Sequence, residues 1–349
     1  MTNPIKVLIV DDSALIRSLL KEIIDNESDM QVVGTAPDAF VAKQMILEFK
    51  PDVITLDIEM PKVDGLRFLE VMMKARPTPT IMISTLTEDK AEPTLRALSL
   101  GALDFIPKPK VGVAQGIEKY QSLILEKIRV ASRSKVREQK TTITPMSTIN
   151  YSGTEKIIAI GASTGGTEAI REVLEFFPAN APATVITQHM PPGFTKTYAD
   201  RLNSLCQIRV KEAANDERLL PGTAYLAPGD RHIEIVRSGA DYRIKLLDTE
   251  RVSGHKPSVD VMMSSLAQTA GRNVVAAILT GMGKDGAQGL RKLKDAGAFT
   301  IGQDEKTCVV YGMPKVAKKL GAICEELPLE AISPSIMDRI RAEKASSRL

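Results

Sequence analysis

The sequence is short of most of what would mark a secreted, membrane-bound or metal-stapled protein. Its 349 residues include three cysteines, Cys206, Cys308 and Cys324. An odd number at spacings unlike any zinc motif indicates neither a disulfide framework nor a zinc site. No apolar run approaches the ~18–20 residues of a membrane span. The longest, Val274–Leu279, stops at Thr280 and Gly281. The N-terminus, MTNPIKVLIVDD, carries acids where a signal peptide would have its small-residue cleavage site. A cytoplasmic protein without membrane insertion is therefore the expectation. Charge of one sign is also scarce: 46 Lys and Arg face 43 Asp and Glu, a net +3. Histidine occurs three times, so any search for a catalytic base is short. What remains is ordinary for a globular chain, 43% hydrophobic and 26% charged, enough for proper cores. At roughly 100–200 residues per domain, the length favours two or three domains.

The few surplus cations cluster. Residues 127–152 hold Lys127, Arg129, Arg133, Lys135, Arg137 and Lys140 against Glu138 alone, and TTITPMSTINYSG follows from Thr141. Ser, Thr and Pro without an apolar period read as a linker. A nucleic-acid patch is the sharper alternative, but no aromatic is interleaved before Tyr151. The expected division is a first domain over 1–126, a basic linker over 127–154 and a second domain over 155–349.

Both flanking parts alternate strand and helix. In the first, apolar runs at Ile5–Val10, Val32–Val33, Val53–Leu56, Ile81–Ile83 and Phe105–Ile106 are separated by amphipathic stretches. Leu15, Ile16, Leu19, Leu20, Ile23 and Ile24, for instance, share one helical face. That alternation implies an α/β fold with a doubly wound, five-stranded parallel sheet. The second part repeats it at Ile157–Ile160, Val185–Thr187, Val274–Leu279 and Phe299–Ile301. Ala224–Leu226, Ile233–Val236 and Ile244–Leu247, with turns at PGD and SGAD, read as antiparallel, a hairpin annexed to a mostly parallel sheet.

In open α/β sheets ligands sit at the carboxyl ends of the strands. Asp11 and Asp12 end the first expected strand of the N-terminal part and Asp57 the third, with Ser84 after the fourth and Lys108 after the fifth. Massed carboxylates call for a cation, and oxygen ligands suit Mg²⁺. One carboxylate beside Mg²⁺ and a lysine could accept a phosphoryl group. Helix capping by Asp11 or Asp12 is the plainer reading, but it explains one acid and not five converging polar groups. DDSALIR, LDIEMPKVDG, ISTLT and DFIPKP together resemble the receiver domain of bacterial two-component response regulators, over about residues 5–125. The resemblance implies that Asp57 is the phosphoacceptor and that Asp11, Asp12 and Asp57 hold Mg²⁺ with the Glu59 carbonyl. It also implies that Ser84 and Phe105 shift inward on phosphorylation, and that Lys108 binds the phosphoryl group. Ser84 stands where threonine is commoner and keeps the hydroxyl.

The second part opens with a strand, GASTGG and a helix. Such a turn serves either dinucleotide binding or a nucleophile at a helix N-terminus. Dinucleotide binding wants a middle glycine where this chain has Ser163, and the next strand ends TQHM rather than in an acid. A serine nucleophile needs a base. His189 ends the next parallel strand, whereas His232 opens an antiparallel one and His255 lies in a loop. Asp285, after Val274–Leu279, lies at the same sheet edge and could orient the imidazole. Spacing alone leaves this triad and a glycine-rich structural turn both open.

GASTGGTEAI, ITQHMPPGFT, APGDRH, HKPSVDVM and ILTGMGKDGA resemble the catalytic domain of the chemotaxis protein-glutamate methylesterases. Receiver, linker and esterase follow in that family's order over nearly the whole chain. The resemblance implies Ser163 as nucleophile, His189 as base, Asp285 as orienting acid, and backbone N–H groups near Thr164 and Met282 as oxyanion donors. It implies no cofactor for the esterase; His232 and His255 receive no assigned chemistry, with His255 read either as lining the substrate cleft or as a satisfied loop histidine. Substrates would be γ-methyl-glutamates, and glutamines, of chemoreceptors, with a chemotaxis histidine kinase as phosphodonor. One switch domain tethered to one hydrolase predicts that the unphosphorylated receiver restrains the esterase by covering its cleft, since such a tether gives up to roughly millimolar effective concentration, and the resemblance implies the same direction of control. Two rivals are weaker. A DNA-binding output would need a helix-turn-helix or a basic face, and a nucleotide-binding module would leave His189 and Asp285 idle.

Overall fold

The computed structural model describes residues 3–85, 91–108, 117–134 and 155–346. The chain divides into two units, Met1–Gln139 and Lys140–Leu349, each built on its own sheet.

In the first unit, β1 (Ile5–Val10), β2 (Met30–Ala36), β3 (Val53–Asp57), β4 (Thr80–Ser84) and β5 (Asp104–Pro107) alternate with α1 (Ala14–Asp25), α2 (Ala39–Phe49), α3 (Gly65–Ala75), α4 (Ala91–Ser99) and α5 (Ile117–Arg133). The strands pair in parallel in the order β2-β1-β3-β4-β5. β3 and β4 are buried at every position, which is why they read as unbroken apolar runs instead of alternating ones. Side chains start three of the helices: Ser13, Asp38 and Asp64 accept first-turn N–H groups of α1, α2 and α3. The chain reverses direction across the sheet between β1 and β3, which opens a crevice at their carboxyl ends.

The expected boundary at residue 126 falls inside α5, which continues to Arg133. The cations read as the start of a linker belong to this helix and meet acids of the same unit. Lys127 Nζ lies 2.6 Å from Asp104, and Arg129 bridges Glu27 at 2.5 Å and Asp29 at 2.8 Å. Ion pairing, invisible in a charge count, ties this stretch to the first unit. The rest of the expected linker, 135–154, lies outside the described residues.

In the second unit, seven strands form one sheet in which every neighbouring pair is parallel. They are β6 (Ile157–Ala162), β7 (Ala183–Gln188), β8 (Arg209–Glu212), β9 (Thr223–Leu226), β12 (Val274–Ile278), β13 (Phe299–Gln303) and β14 (Glu325–Leu327), in the order β14-β13-β12-β6-β7-β9-β8. β10 (His232–Ser238) and β11 (Asp241–Leu247) pair antiparallel as a separate two-stranded sheet. Two expectations are corrected here. Ala224–Leu226 belongs to β9 and runs parallel to β7, its four residues buried as in an interior strand. The hairpin is not annexed to the main sheet; it lies against α8 (Val259–Thr269), where Ser265 Oγ accepts the Ile235 N–H at 2.9 Å. A four-residue apolar run carries no sign of its own direction, so composition could not separate β9 from the hairpin.

α6 (Gly166–Glu175), α7 (Phe194–Leu205), α9 (Ala287–Asp295), α10 (Met313–Lys319) and α11 (Leu329–Ser346) complete the unit. Its core joins sheet, hairpin and helices through Val185, Ile235, Met262, Leu266, Ile278 and Leu290. Here the strand order reverses between β6 and β12.

Candidate active site

Ser163 follows β6 directly and is gripped by main chain and one amide side chain. Its N–H donates to the Thr280 carbonyl at 3.0 Å; its own carbonyl accepts the Gly166 N–H at 2.7 Å and Gln188 Nε2–H at 2.9 Å. The turn into α6 passes through Gly165 at φ +75°, a left-handed conformation that side chains resist. From the neighbouring strand, the β12–α9 loop comes so close that a Cβ on Gly281 would lie 2.8 Å from Ser163 Cβ. Glycine at 281 is what lets that loop reach the serine.

The two strand ends flanking β6 deliver the other groups. His189 follows β7, and Asp285 lies in the loop between β12 and α9. His189 Nδ1 lies 3.1 Å from Ser163 Oγ, and Nε2 lies 2.8 Å from Asp285 Oδ2. The carboxylate can only accept, so Nε2 carries the ring hydrogen and bare Nδ1 faces the serine hydroxyl. All three side chains are buried: Ser163 is 9% exposed, the His189 side chain 8% and Asp285 0%.

A buried carboxylate needs donors, and Asp285 has four. Besides His189, it accepts Ser258 Oγ–H at 2.7 Å, the Val259 N–H at 2.7 Å and the Asp260 N–H at 3.2 Å. These three come from the cap and first turn of α8, where free N–H groups and the helix dipole favour an anion. Burial pushes the Asp285 carboxyl up, but hydrogen bonds from His189, Ser258 and Val259 outweigh it and hold the group below its ordinary value.

Thr164 and Met282, the expected sources of oxyanion donors, stand immediately after Ser163 and Gly281. The Gly281 N–H is taken by the Val310 carbonyl at 3.1 Å, while the Met282 N–H has no acceptor among the described residues. Several contributors carry no signal at sequence level. His255 stacks on His189 with ring centroids 3.7 Å apart and planes 7° from parallel, covering one face of the imidazole. Thr280 ties two loops together: its Oγ1 donates to the Thr164 carbonyl at 3.0 Å and accepts the Val310 N–H at 2.9 Å. Ser258 alone had a legible hint, a serine just before the apolar run VDVMM, the pattern of a helix N-cap.

The crevice of the first unit gathers the acids expected there. Ligand atoms of Asp11, Asp12 and Asp57 lie within 4.8 Å of one another. Lys108 Nζ is 2.7 Å from Asp57 Oδ2 and 3.1 Å from Asp11 Oδ2. The capping of α1 falls to Ser13, whose N–H donates to Asp11 Oδ1 at 2.9 Å. Asp11 Oδ2 is buried without a well-aligned hydrogen bond. Burial raises Asp57 to about 6; Asp11 adds to this and Lys108 offsets part of it. The Glu59 N–H donates to the Asp57 carboxylate. Three oxygen-donor carboxylates gathered beside a single lysine fit a hard divalent cation such as Mg²⁺. Ser84 Oγ, buried, accepts the Thr94 hydroxyl at 3.1 Å. Phe105 is already inside, 8% exposed, with Lys127 Nζ 6.0 Å from its ring centroid. The inward swing expected of Phe105 therefore has little distance left to run.

Residues 158–336 match the family described as CheB methylesterase, and residues 7–115 match the response regulator receiver domain family. The chain is 54% identical over 348 residues to protein-glutamate methylesterase/protein-glutamine glutaminase 2 of Pseudomonas aeruginosa, covering 99% of this chain and 100% of that one. It is 53% identical over 346 residues to the protein-glutamate methylesterase/protein-glutamine glutaminase of Escherichia coli K12, covering 98% and 99%. Among solved structures, the CheB methylesterase catalytic domain of Thermotoga maritima is similar at 38% identity and a TM-score of 0.52, covering 52% of this chain and 97% of that one. Among the described residues, no helix is long and apolar enough to cross a membrane.

Proposed function

Since the chain belongs to the family of receiver-linked protein-glutamate methylesterases/glutaminases, we propose that it hydrolyses glutamate γ-methyl esters on chemoreceptors and deamidates receptor glutamines, by acyl transfer through Ser163, His189 and Asp285, under control of phosphorylation at Asp57. The observation that carries the reading is the line from Ser163 Oγ to His189 Nδ1, 3.1 Å, and from Nε2 to Asp285, 2.8 Å.

In the first half-reaction Nδ1 takes the Ser163 hydroxyl proton as Oγ bonds to the ester carbonyl carbon, and Asp285 stabilises the imidazolium. The carbonyl π pair moves onto oxygen, facing backbone N–H groups at Thr164 and Met282. As the tetrahedral centre collapses, the C–O bond to methoxide breaks and the leaving oxygen takes the proton from Nδ1, releasing methanol. A water then attacks the acyl-enzyme with the same proton relay and frees the glutamate carboxylate. A glutamine substrate follows the same path with ammonia as the leaving group.

In the receiver, Asp11, Asp12 and Asp57, with the Glu59 carbonyl, would hold Mg²⁺. When bound, the ion supplies positive charge for the transferred phosphoryl oxygens. Asp57 Oδ would accept the phosphoryl group from the chemotaxis histidine kinase, and Lys108 would then exchange its carboxylate partner for a phosphoryl oxygen. Ser84 offers the hydroxyl that reads this change, and the esterase rate rises.

Ser163→Ala tests the reading directly. Methanol release from methylated receptor should fall ~10⁴–10⁶-fold, and a fluorophosphonate probe should no longer label the protein. Native-like methanol release by the folded variant would sink the triad.

A further inference from the structure

His232 is 0% exposed and opens β10, and both its ring nitrogens meet backbone groups of fixed sense. The Ser258 N–H donates to Nδ1 at 3.1 Å, and Nε2 lies 2.9 Å from the Glu250 carbonyl oxygen. An amide N–H can only donate and a carbonyl can only accept, so Nδ1 is bare and Nε2 carries the hydrogen. Ser258 caps α8 and sends its hydroxyl to Asp285, which receives His189, which faces Ser163. These five residues form one connected hydrogen-bonded path, from a core strand to the nucleophile.

The need for such an anchor is visible in the chain leading to α8. That approach offers little packing, since residues 248–254 are all exposed. Burial begins only at Pro257, Ser258 and Val259, the helix start itself. β10, in contrast, is fastened in the core by Ile233 and Ile235. One imidazole on that strand ties down both the approach, at the Glu250 carbonyl, and the cap itself, at the Ser258 N–H.

We propose that His232 is a positioning residue of the esterase. By accepting the Ser258 N–H it sets the α8 N-terminus on which Asp285 is registered, and through Asp285 the tilt and tautomer of His189. This rests on the triad reading of Ser163, His189 and Asp285.

Two amide replacements separate the two bonds of the ring. Asparagine reaches about as far as Nδ1 and can still accept from Ser258; glutamine reaches about as far as Nε2 and can still donate to Glu250. Each loses one buried hydrogen bond, so a merely structural role predicts similar losses in melting temperature and similar rates. The proposal predicts a split. His232→Gln should label with fluorophosphonate about ten- to a hundredfold more slowly than the native full-length protein, the scale of a small misplacement of a catalytic group. Its kcat on methylated receptor should fall alike, with KM unchanged. His232→Asn should recover most of that loss. In an Asp285→Asn background, His232→Gln should cost nothing further, because the residue it acts through is already disabled. Equal rates for the two amides, or the same factor lost in both backgrounds, would overturn the role of His232 and leave the triad standing. Native-rate labelling of Asp285→Asn alone would instead bring down the triad, and this proposal with it.

Discussion

Asp285→Asn is a sharp perturbation because an amide has no good way to sit where this carboxylate does. Oδ2 takes His189 Nε2–H and the Val259 N–H, and Oδ1 takes Ser258 Oγ–H and the Asp260 N–H. An asparagine has one acceptor oxygen, so its NH₂ must face one of those pairs. Turned toward His189, it confronts the Val259 N–H, forces Nε2 to accept and puts the ring hydrogen on Nδ1, where it faces Ser163 Oγ and the base is lost. Turned the other way, it lets the Ser258 hydroxyl rotate to accept, but it confronts the Asp260 N–H, and the imidazolium loses its ionised partner. A wrong tautomer in a serine triad costs ~10⁴ in kcat. With the second orientation partly accessible, the expected loss is ~10³–10⁴, or ~4–5.5 kcal/mol of barrier. The assay is methanol release at saturating methylated receptor, with fluorophosphonate labelling as a receptor-free check. A loss under tenfold in a folded variant would refute the reasoning. Stability gives a second readout. A carboxyl held below its ordinary value of 3.8 stabilises the fold above that pH and loses this contribution as pH falls through its folded pKa. The stability gap between native protein and Asp285→Asn should therefore narrow below about pH 4; a gap unchanged down to about pH 3 would count against the hydrogen-bonded anion.

Asp57→Asn should abolish phosphorylation by small acyl phosphates and by the kinase, read as loss of the phosphoprotein mass, while the unphosphorylated esterase rate persists; intact stoichiometry would demand another acceptor. A catalytic fragment beginning near Ser152 should demethylate receptors faster than the unphosphorylated full-length chain. An equally slow fragment would mean that phosphorylation stimulates catalysis or recruits receptor instead of lifting a restraint.

The parallel frame was legible because strands buried on both faces leave continuous apolar runs, as in Val53–Leu56 and Val274–Leu279. Countable strand ends and three histidines brought Ser163, His189 and Asp285 forward, but spacing left a glycine-rich turn equally open, and the methylesterase resemblance made the choice. Direction and partnership were not legible. Neither β9 nor β10 carries a mark of its partner, yet one joins the parallel sheet and the other a separate hairpin. Lys127 and Arg129 looked like linker charge because their partners, Asp104, Glu27 and Asp29, are far away in sequence. His232 had no visible role, and His255 stood open between cleft lining and a loop contact, for the same reason: one meets Ser258 and the other His189 only after the chain folds.

Both units place their chemistry where strand order reverses, and the neighbours of each nucleophile decide what it can do. Between β1 and β3 the fold brings acids together, and Asp57 is raised to about 6 by burial, with Asp11 adding to it. A divalent cation is the natural relief for such a cluster, and with Lys108 at 2.7 Å it would also meet the charge that a transferred phosphoryl group adds. At β6 and β12 the fold brings Asp285 beside Asp260 of α8, whose carboxyl is pushed up by burial and then by Asp285; Asp285 is the acid satisfied by four donors and held low. That acid serves to hold an imidazole in one tautomer beside a hydroxyl. On the function proposed above, the same crevice geometry would serve a phosphoacceptor where charge is less compensated and an acyl-transfer nucleophile where it is compensated in advance. Carboxylate satisfaction, more than fold, separates the two chemistries.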